Sequence, residues 1–455
     1  MNILQLRFRR LNGILNLVVS FRLSFFLVLC LILGGTSQNI VTPKLPLYLY
    51  SLFMIGISMS ALNKESRLWQ LKPIFLIWIG FFFTHILYLI PLPPSLWGSL
   101  GGREIITQGF EILEIPLPWL PVSVTPEKTL FSLFDFLPIL AIILMMGTVV
   151  SGREFRCALW TLGGCVIVLA ILGLLQVSGR FPGLYFYEIT NLGSAVGVFS
   201  NANHYCVLLL ICIPLIVFLA DYHRPNVDFG VNSAYAFFIV SALSALLGVG
   251  LSGSLSGYLL FIPVFATALF LWTSGKRLKH IYLIGIIISL SAALLIDIFI
   301  LNDLHSEITD KFTSTNKTSR TIMFENAYKI SKLYFPFGGG PGSFSDSYRL
   351  FEETTLLTVP HAHNDYIELF AEFGIFGLIG ISLIVFWLVK LIFTSFSLKG
   401  HHSNMAKYMS ISVCLIIVYS LIDYPLRTIA IMAIVSFYVR SIVLSNKDIS
   451  LLNIK

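Results

Sequence analysis

Long apolar runs recur along the whole chain, and they constrain its fold more than any other feature. A helix that crosses a bilayer needs roughly 17–25 predominantly apolar residues, and we predict about twelve such spans. Only 12% of the residues are charged, whereas soluble proteins average about 25%. The predicted fold class is therefore an all-α, polytopic integral membrane protein. The predicted span centres are Leu29, Phe53, Gly80, Ile139, Val168, Ile211, Ala242, Pro263, Ile288, Ile379, Ile416 and Val435.

Basic residues cluster between the apolar runs, and all of the clusters fall on one predicted side of the membrane. This is the positive-inside pattern, which places both termini in the cytoplasm. It also accounts for the net charge of +7 without a nucleic-acid partner, because the basic residues form no continuous basic face. The clusters are Arg7–Arg10, Lys64–Lys72, Arg153–Arg156, His223–Arg224, Lys276–Lys279, Lys399–Lys407 and Lys447–Lys455.

The longer polar segments are predicted on the opposite side of the membrane. Pro91–Lys128 is rich in proline and tryptophan, which is typical of an interfacial loop. Gly179–Asn203 is rich in glycine and aromatic residues, and Leu301–His363 is the largest polar insertion. Within that insertion a loose apolar stripe predicts a helix at Arg320–Tyr334, which lies along the membrane surface and is stopped by Pro336.

This pattern divides the chain into three parts. Residues 1–300 hold the first nine predicted spans, with loops near residues 91–128 and 179–203. Residues 301–363 form the large loop, which contains short helices, and residues 364–455 hold the last three spans and the cytoplasmic C-terminus. No separate soluble domain is predicted.

The stretch Pro360–Gly374 concentrates polar and ionisable side chains just before an apolar run. Histidine is the side chain best suited to act as a base near neutral pH, so His361 and His363 are the candidate catalytic bases. Asp365 and Glu368 have the spacing of a capping box, so they could equally hold the start of a helix. Two histidines and a carboxylate could also ligate zinc, although the chain contains no HExxH motif.

Two further segments carry candidate binding residues. Gly338–Gly342 could present backbone N–H groups, those of Gly340 and Gly342 included, to a phosphate. It lacks the Gly-Lys-Ser/Thr ending of a nucleotide-binding loop, and a plain tight turn is the favoured interpretation. Asn201, Asn203 and His204 open a predicted span and could cap its helix, and Asn203 and His204 are also candidate substrate contacts.

Arg320 and Arg427 both fall on the predicted non-cytoplasmic side, where positive charge is scarce. A guanidinium group can clamp a diphosphate bidentately, so each arginine is a candidate for that role. The alternative is an ordinary contact with the protein surface or with lipid headgroups.

Five blocks of sequence resemble the bacterial O-antigen ligase and polysaccharide polymerase superfamily. Together they extend over most of the chain. The most specific of them is the His-Asn-Asp sequence that is followed by Glu-Phe-Gly. The blocks are Ile90–Trp97, Gly197–His204, Phe335–Phe344, Pro360–Gly377 and Asp423–Arg427.

The resemblance implies a polytopic glycosyltransferase of the bacterial inner membrane whose active face is periplasmic. Such enzymes transfer a glycan from undecaprenyl diphosphate to lipid A-core, in the ligases, or to another lipid-linked glycan, in the polymerases. They use no nucleotide sugar and no metal, so no cofactor is expected. The family's loop histidine is matched by His361 or His363, and its arginine at the start of the loop helix by Arg320. Substrate contacts are expected at Arg427, Asn364, Asp365, Asn203, His204, Gly340 and Gly342.

The segment Ser254–Gly257 departs from the family pattern. Many members carry Ser-Arg-x-Gly there, but this chain has Leu255 in place of the arginine. Leucine cannot bind a diphosphate, so either another residue such as Arg427 compensates or the activity differs. The chain therefore also fits a non-catalytic member of a polysaccharide assembly complex.

A transporter or flippase of lipid-linked glycans is the remaining function class. Transporters place broken helices and ionisable residues at the membrane midplane in matched halves, whereas the polar residues here gather at span ends. This distribution favours an enzyme. Ligases and polymerases share the donor, so the sequence leaves both open.

Overall fold

The computed structural model describes residues 20–38, 41–62, 72–223, 231–273, 319–351, 360–398 and 403–446. Within these residues the protein is mostly helical, as predicted. The α-helices are α1 (Arg22–Leu33), α2 (Leu45–Ser60), α3 (Lys72–Leu89), α4 (Pro94–Trp97), α5 (Glu104–Ile112), α6 (Pro126–Phe134), α7 (Leu137–Thr148), α8 (Gly152–Val177), α9 (Ala202–His223), α10 (Val231–Ser252), α11 (Leu255–Thr273), α12 (Ser319–Leu333), α13 (Phe344–Tyr348), α14 (Asp365–Ser397), α15 (Ser403–Tyr419) and α16 (Ile429–Ser445).

Short elements link these helices. Two antiparallel strands, β1 (Pro91–Leu92) and β2 (Leu120–Pro121), pair Pro91 with Pro121 and close the base of the excursion between α3 and α6. Single turns of 3₁₀-helix lie at Thr42–Lys44, Pro182–Leu184, Arg349–Phe351 and Pro425–Arg427.

Six helices in the described part of the chain are long and apolar enough to cross a membrane. They are Pro126–Thr148 (α6 and α7 taken together), Gly152–Val177, Ala202–Tyr222, Tyr235–Ser252, Leu255–Trp272 and Asp365–Ser397. Eleven of the twelve predicted span centres lie within helices, and Ile288 lies outside the described residues. The total of twelve spans and the sidedness of the loops stay predictions.

Helix α9 forms the centre of the bundle. Its side chains are apolar around nearly the whole circumference, which is the pattern of a helix surrounded by other helices. It packs against α8, α10, α11 and α15. The Ser412 hydroxyl of α15 donates to the Ile211 carbonyl at 2.7 Å, which ties α15 to this central helix.

Several helix ends and turns converge at one end of the bundle. The Gly34 and Gly35 carbonyls, just after α1, accept hydrogen bonds from Ala430 N and Ser200 N, each at 3.1 Å. At the start of α14, Asp365 N donates to the Ser420 carbonyl at 3.0 Å. The first turns of α9, α14 and α16 therefore meet at this end.

Helix α14 is interrupted at Gly374, where the backbone has φ 54° and ψ −133°. The interruption removes the N–H donors of the preceding carbonyls and the carbonyl acceptor of the following N–H group, and the segment after α12 supplies replacements. Gly339 N donates to the Ala371 carbonyl at 3.0 Å, and Ile375 N donates to the Pro336 carbonyl at 2.8 Å. A short polar part of α14 is thus separated from its long apolar part.

The Gly374→Ala substitution should destabilise the protein strongly. The positive φ alone costs an alanine roughly 1–3 kcal/mol, and its Cβ would also clash with the Pro336 carbonyl. Gly380→Ala in the same helix is the control, since a Cβ there meets no neighbouring atom. Thermal unfolding in detergent, followed by size-exclusion chromatography, should show a loss for Gly374→Ala only. Equal melting temperatures for both variants would contradict this account of the helix break.

Candidate functional site

The polar stretch at the start of α14 lies against the turn between α15 and α16 and against the first turn of α9. Almost all of its ionisable groups are buried. The side chains in the cluster are His204, His361, His363, Asp365, Glu368, Glu372, Asp423, Tyr424 and Arg427.

Three carboxylates of α14 surround one arginine. Asp365, Glu368 and Glu372 are spaced by three and four residues, which places them on one face of the helix. Arg427 Nε lies 3.4 Å from Glu368 Oε1 and 3.9 Å from Asp365 Oδ1, and its Nη1 lies 2.8 Å from Glu372 Oε2. A buried carboxylate without a partner is strongly unfavourable, so Arg427 compensates charge that α14 could not otherwise bury.

The other carboxylate oxygens hold neighbouring segments. Asp365 Oδ2 accepts from the Ser420 hydroxyl at 2.8 Å and from Leu426 N at 3.3 Å. Glu372 Oε1 accepts from Gly342 N at 2.9 Å. The same three side chains therefore fix both the turn after α15 and the glycine-rich segment to the start of α14.

His361 forms the first histidine–carboxylate pair. Its Nδ1 lies 2.8 Å from Glu368 Oε1, and Glu368 Oε2 accepts from Ala362 N at 2.8 Å. Glu368 therefore orients the histidine and the loop before the helix. This corrects the capping-box interpretation, because the Glu368 side chain turns to His361 and Ala362 rather than to the capping position.

Asn364 is the residue that caps α14. Its Oδ1 accepts from Tyr366 N at 2.9 Å and from Ile367 N at 3.0 Å, and its Nδ2 donates to the Leu421 carbonyl at 2.7 Å. Asp365 is the first helical residue, as predicted. The Asn364 side chain thus satisfies N–H groups of the first helical turn and also holds the turn after α15.

His363 forms the second histidine–carboxylate pair. Its Nδ1 lies 3.3 Å from Asp423 Oδ1, an ion-pair distance. Burial raises the pKa of Asp423, but the neighbouring His363 and His204 imidazoles outweigh burial and hold it below its ordinary value. Asp423 is therefore an anion beside His363. The His363 backbone has φ 49°, a left-handed conformation that is uncommon outside glycine and that turns the chain into the helix.

Tyr424 lies at the centre of three imidazole rings. The His361 ring stacks on it with centroids 4.3 Å apart and an interplanar angle of 27°. His204 and His363 meet it edge-on, at 4.7 Å and 4.9 Å. The Tyr424 hydroxyl accepts from Asn201 Nδ2 at 3.1 Å. Tyr424 thus joins both histidine–carboxylate pairs to the first turn of α9.

His204 and Asn203 differ in their surroundings. His204 is fully buried, and neither ring nitrogen has a hydrogen-bond partner among the described residues. Asn203 N donates to Asn201 Oδ1 at 2.8 Å, so Asn201 supplies the cap at this helix start. The structure therefore brings His204 into the cluster through its ring, while a substrate contact at Asn203 stays a prediction.

The glycine-rich segment uses its N–H groups within the protein. Gly340 N donates to the Glu372 carbonyl at 2.9 Å, and Gly342 N donates to the Glu372 side chain. Gly338 N donates to the Tyr334 carbonyl at 2.7 Å. This geometry agrees with the tight-turn interpretation. A substrate contact at Gly340 or Gly342 stays a prediction and would not use these two N–H groups.

Two remaining proposals from the sequence have different outcomes. Arg320 lies in the first turn of α12, but its side chain is outside the described ones. In the described part of the chain, no group of three His, Cys, Asp or Glu side chains could hold a metal ion. The zinc interpretation therefore finds no support among these residues.

The structure brings the predicted residues His361, His363 and Arg427 together, and it adds Asp423 and Tyr424, which the sequence analysis left out of the candidate site. Both belong to the block Asp423–Arg427, which was recognised as a motif and used only for its arginine. An aspartate directly before an aromatic residue in a turn between two apolar runs was the available signal. Charge is scarce in this chain, so each ionisable residue of such a turn merits attention.

The Arg427→Leu substitution should destabilise the protein by roughly 3–5 kcal/mol, because it leaves three buried carboxylates without their counter-charge. The deficit should shrink as the pH falls, since protonation neutralises the carboxylates. Thermal unfolding between pH 5 and pH 8 measures both effects. Lys128→Leu is the control, because Lys128 makes a partly exposed pair with Asp346 at 2.7 Å, worth about 1 kcal/mol or less. Similar losses in the two variants would contradict the role of Arg427.

Comparison with known proteins bears on this site directly. No curated protein matches the chain. A family model described as O-antigen ligase matches residues 236–382, a segment that contains both histidines and the three carboxylates of α14. This match supports the resemblance to the O-antigen ligase and polysaccharide polymerase superfamily, and the blocks Phe335–Phe344 and Pro360–Gly377 lie within the matched segment.

Proposed function

We propose that the protein transfers a glycan from undecaprenyl diphosphate to a sugar acceptor at the periplasmic face of the bacterial inner membrane. The family match supports an O-antigen ligase-type function in polysaccharide assembly, with glycosyltransferase-like activity. The observation that carries the proposal is the presence of two histidine–carboxylate pairs, one of them wholly within the matched segment.

A histidine–carboxylate pair is suited to remove a proton from an acceptor hydroxyl. The carboxylate at Nδ1 fixes the tautomer, so that Nε2 carries the lone pair, and it stabilises the imidazolium that forms. His361 Nδ1 has this hydrogen bond with Glu368, whereas His363 Nδ1 lies 3.3 Å from Asp423 Oδ1, an ion-pair distance without hydrogen-bond geometry. Either histidine could therefore serve as the base on geometry alone.

The surroundings favour His363. Its side chain is 23% exposed, against 11% for His361. Glu368 is shared with Arg427 at 3.4 Å, so part of its charge is already compensated. Asp423 has no arginine within ion-pair distance among the described residues, and its charge is available to an imidazolium at His363. We therefore assign the role of the base to His363. His361, whose ring stacks on Tyr424, is assigned the role of supporting the Tyr424 ring.

The proposed reaction is a displacement at the anomeric carbon with inversion. The acceptor hydroxyl oxygen forms the new glycosidic bond while its proton passes to Nε2 of His363. The bond between the anomeric carbon and the diphosphate oxygen breaks, and its electron pair leaves with undecaprenyl diphosphate. The diphosphate is already an activated leaving group, so the reaction needs neither ATP nor a nucleotide sugar, and we propose that it needs no metal.

Arg320 remains the proposed stabiliser of the departing diphosphate. A guanidinium group placed where negative charge develops lowers the barrier of such a step. Arg427 suits this role less well than the sequence suggested, because three carboxylates already surround it. An additional anion would meet net negative charge there. We propose that Arg427 organises the site and does not clamp the donor.

Purified protein in detergent, incubated with a defined undecaprenyl-diphosphate-linked oligosaccharide and an acceptor, tests the proposal. An enzyme produces a longer glycan or a glycan on lipid A-core, whereas a transporter or a scaffold leaves both substrates unchanged. Both acceptor classes are supplied in separate reactions. A glycan attached to lipid A-core, and to no other acceptor, indicates a ligase. A glycan attached to a second lipid-linked glycan indicates a polymerase.

The His363→Ala substitution should lower turnover by roughly 10²–10⁴-fold, the usual contribution of a general base. Asp423→Asn should lower kcat as well, since an amide no longer fixes the tautomer or stabilises the imidazolium. His361→Ala should have the smaller effect of the two histidine variants. The turnover assay measures all three, with size-exclusion profiles as the control for folding. A fully active His363→Ala protein beside an inactive His361→Ala protein would reverse the assignment.

Tyr424 variants separate the ring from the hydroxyl. Tyr424→Phe keeps the ring against three imidazoles and loses a hydrogen bond worth about 1 kcal/mol, so activity should stay close to that of the unmodified protein. Tyr424→Leu removes the aromatic surface that positions the histidines, and kcat should fall while KM changes little. Equal activity of the two variants would show that the stacked arrangement has no part in turnover.

A further inference from the structure

Two excursions at the site end of the bundle carry large apolar side chains that contact little else. The first, which we term the 105–119 tip, comprises most of α5 and the residues between α5 and β2. The second, the 181–192 tip, lies between α8 and α9. Nine large apolar side chains of the two tips are between 49% and 82% exposed. They are Ile105, Ile112, Leu113, Ile115 and Trp119 in the first tip, and Phe181, Phe186, Ile189 and Leu192 in the second.

Each tip continues the exposed apolar face of the helix that precedes it. In α8, which is long and apolar enough to span a membrane, Val168, Ile171 and Leu174 are exposed at a spacing of three residues, hence on one face. That face leads to Phe181 at the start of the second tip. In α3 the exposed residues Ile79, Phe83 and Ile86 lie along one face in the same way, and the exposed Ile90 follows the helix where the first excursion begins.

The base of the first tip is held firmly. Trp97 is buried, and its Nε1 donates to the Pro118 carbonyl at 2.8 Å. Arg103 is buried as well and donates to the carbonyls of Pro121 and Val122. The exposed apolar groups therefore project from a well-ordered base rather than from a collapsed loop.

Gln176 holds the base of the second tip. Its Nε2 donates to the carbonyls of Leu184 at 2.9 Å and Gly197 at 2.8 Å, and its Oε1 accepts from Val196 N at 3.0 Å. A single buried amide side chain thus fixes both ends of the excursion to the end of α8. The second tip also projects from an ordered base.

Both bases connect to the candidate site. Val124 N, just after the first excursion, donates to the Gly339 carbonyl at 2.8 Å in the glycine-rich segment. The second excursion leads directly to Asn201, which donates to Tyr424. The two tips therefore belong to the same end of the bundle and flank the site.

We propose that both tips insert into the lipid leaflet at the site end of the protein. Lipid acyl chains are the partner because the apolar surface of each tip continues the face that α3 and α8 present outward. Exposed acidic groups, Glu111 and Glu114 in the first tip and Glu188 in the second, lie among the apolar ones. This mixture is typical of segments that lie at the bilayer interface with their charges at headgroup depth. The site is thereby held at the membrane surface.

Variants of the full chain that each carry one added cysteine test this proposal in lipid nanodiscs. The variants Ile112→Cys and Ile189→Cys carry an environment-sensitive thiol label on the two tips. Glu111→Cys and Glu188→Cys are the matched controls, because each replaces an exposed neighbour. The unmodified protein, which has six cysteines, gives the background of labelling. Quenching is measured with phosphatidylcholine brominated on its acyl chains and, separately, with aqueous iodide.

Labels at positions 112 and 189 should emit at shorter wavelength than their controls and should be quenched several-fold more strongly by brominated lipid than by iodide. Labels at positions 111 and 188 should show the opposite preference. Iodide quenching at 112 and 189 equal to that of the controls would overturn the proposal. A lipid-quenched label at only one of the two positions would overturn it for the other tip. The outcome does not depend on the catalytic activity.

Discussion

The arrangement of the site depends on the contact between Arg427 and three buried carboxylates. Asp365, Glu368 and Glu372 occupy the first turns of α14, and only a positive charge from elsewhere in the chain allows them to be buried together. That charge comes from the turn that also holds Asp423 and Tyr424. One ionic cluster therefore fixes the position of one histidine–carboxylate pair relative to the other. Hydrophobic packing, which is non-directional, could not supply that orientation.

The same cluster explains why two neighbouring histidines have different environments. His361 is tied to a carboxylate that also serves Arg427 and the Ala362 amide, and its ring stacks on Tyr424. His363 faces a carboxylate whose described neighbours are imidazoles and the Tyr424 N–H group. The two rings also meet Tyr424 differently, His361 stacked on it and His363 edge-on. Two chemically identical residues, two positions apart, are thereby suited to different tasks.

The sequence was sufficient to predict local properties such as hydropathy and the position of charged residues. It was insufficient to predict which distant side chains pair with each other. Span centres could be predicted because hydropathy is a property of a continuous segment, and so could the polar stretch before Gly374, because charge is rare in this chain. The ion-pair partner of Glu372 could not be predicted, since Arg427 lies 55 residues away in the sequence. The capping-box prediction was wrong because the spacing of Asp365 and Glu368 is compatible with several acceptor roles for the Glu368 carboxylate. That carboxylate pairs with the His361 ring instead of accepting from the backbone N–H group at the capping position. Asp423 and Tyr424 belong to the block Asp423–Arg427, but only the imidazole rings that lie beside them in the structure indicate a role for them.

The break at Gly374 bears on where such a site can lie. Ahead of it α14 is short and carries three carboxylates, and beyond it the helix is almost wholly apolar. The carbonyls released at the break are satisfied by the segment after α12, so the backbone there needs no water. Transporters place comparable breaks at the midplane, where an ion or a substrate must pass. A break close to the start of a spanning helix instead sets a polar cluster at the boundary of the bilayer. A lipid-linked substrate presents its diphosphate at that depth while its chain stays among the lipids, so the position of the break fits a site that acts on such substrates.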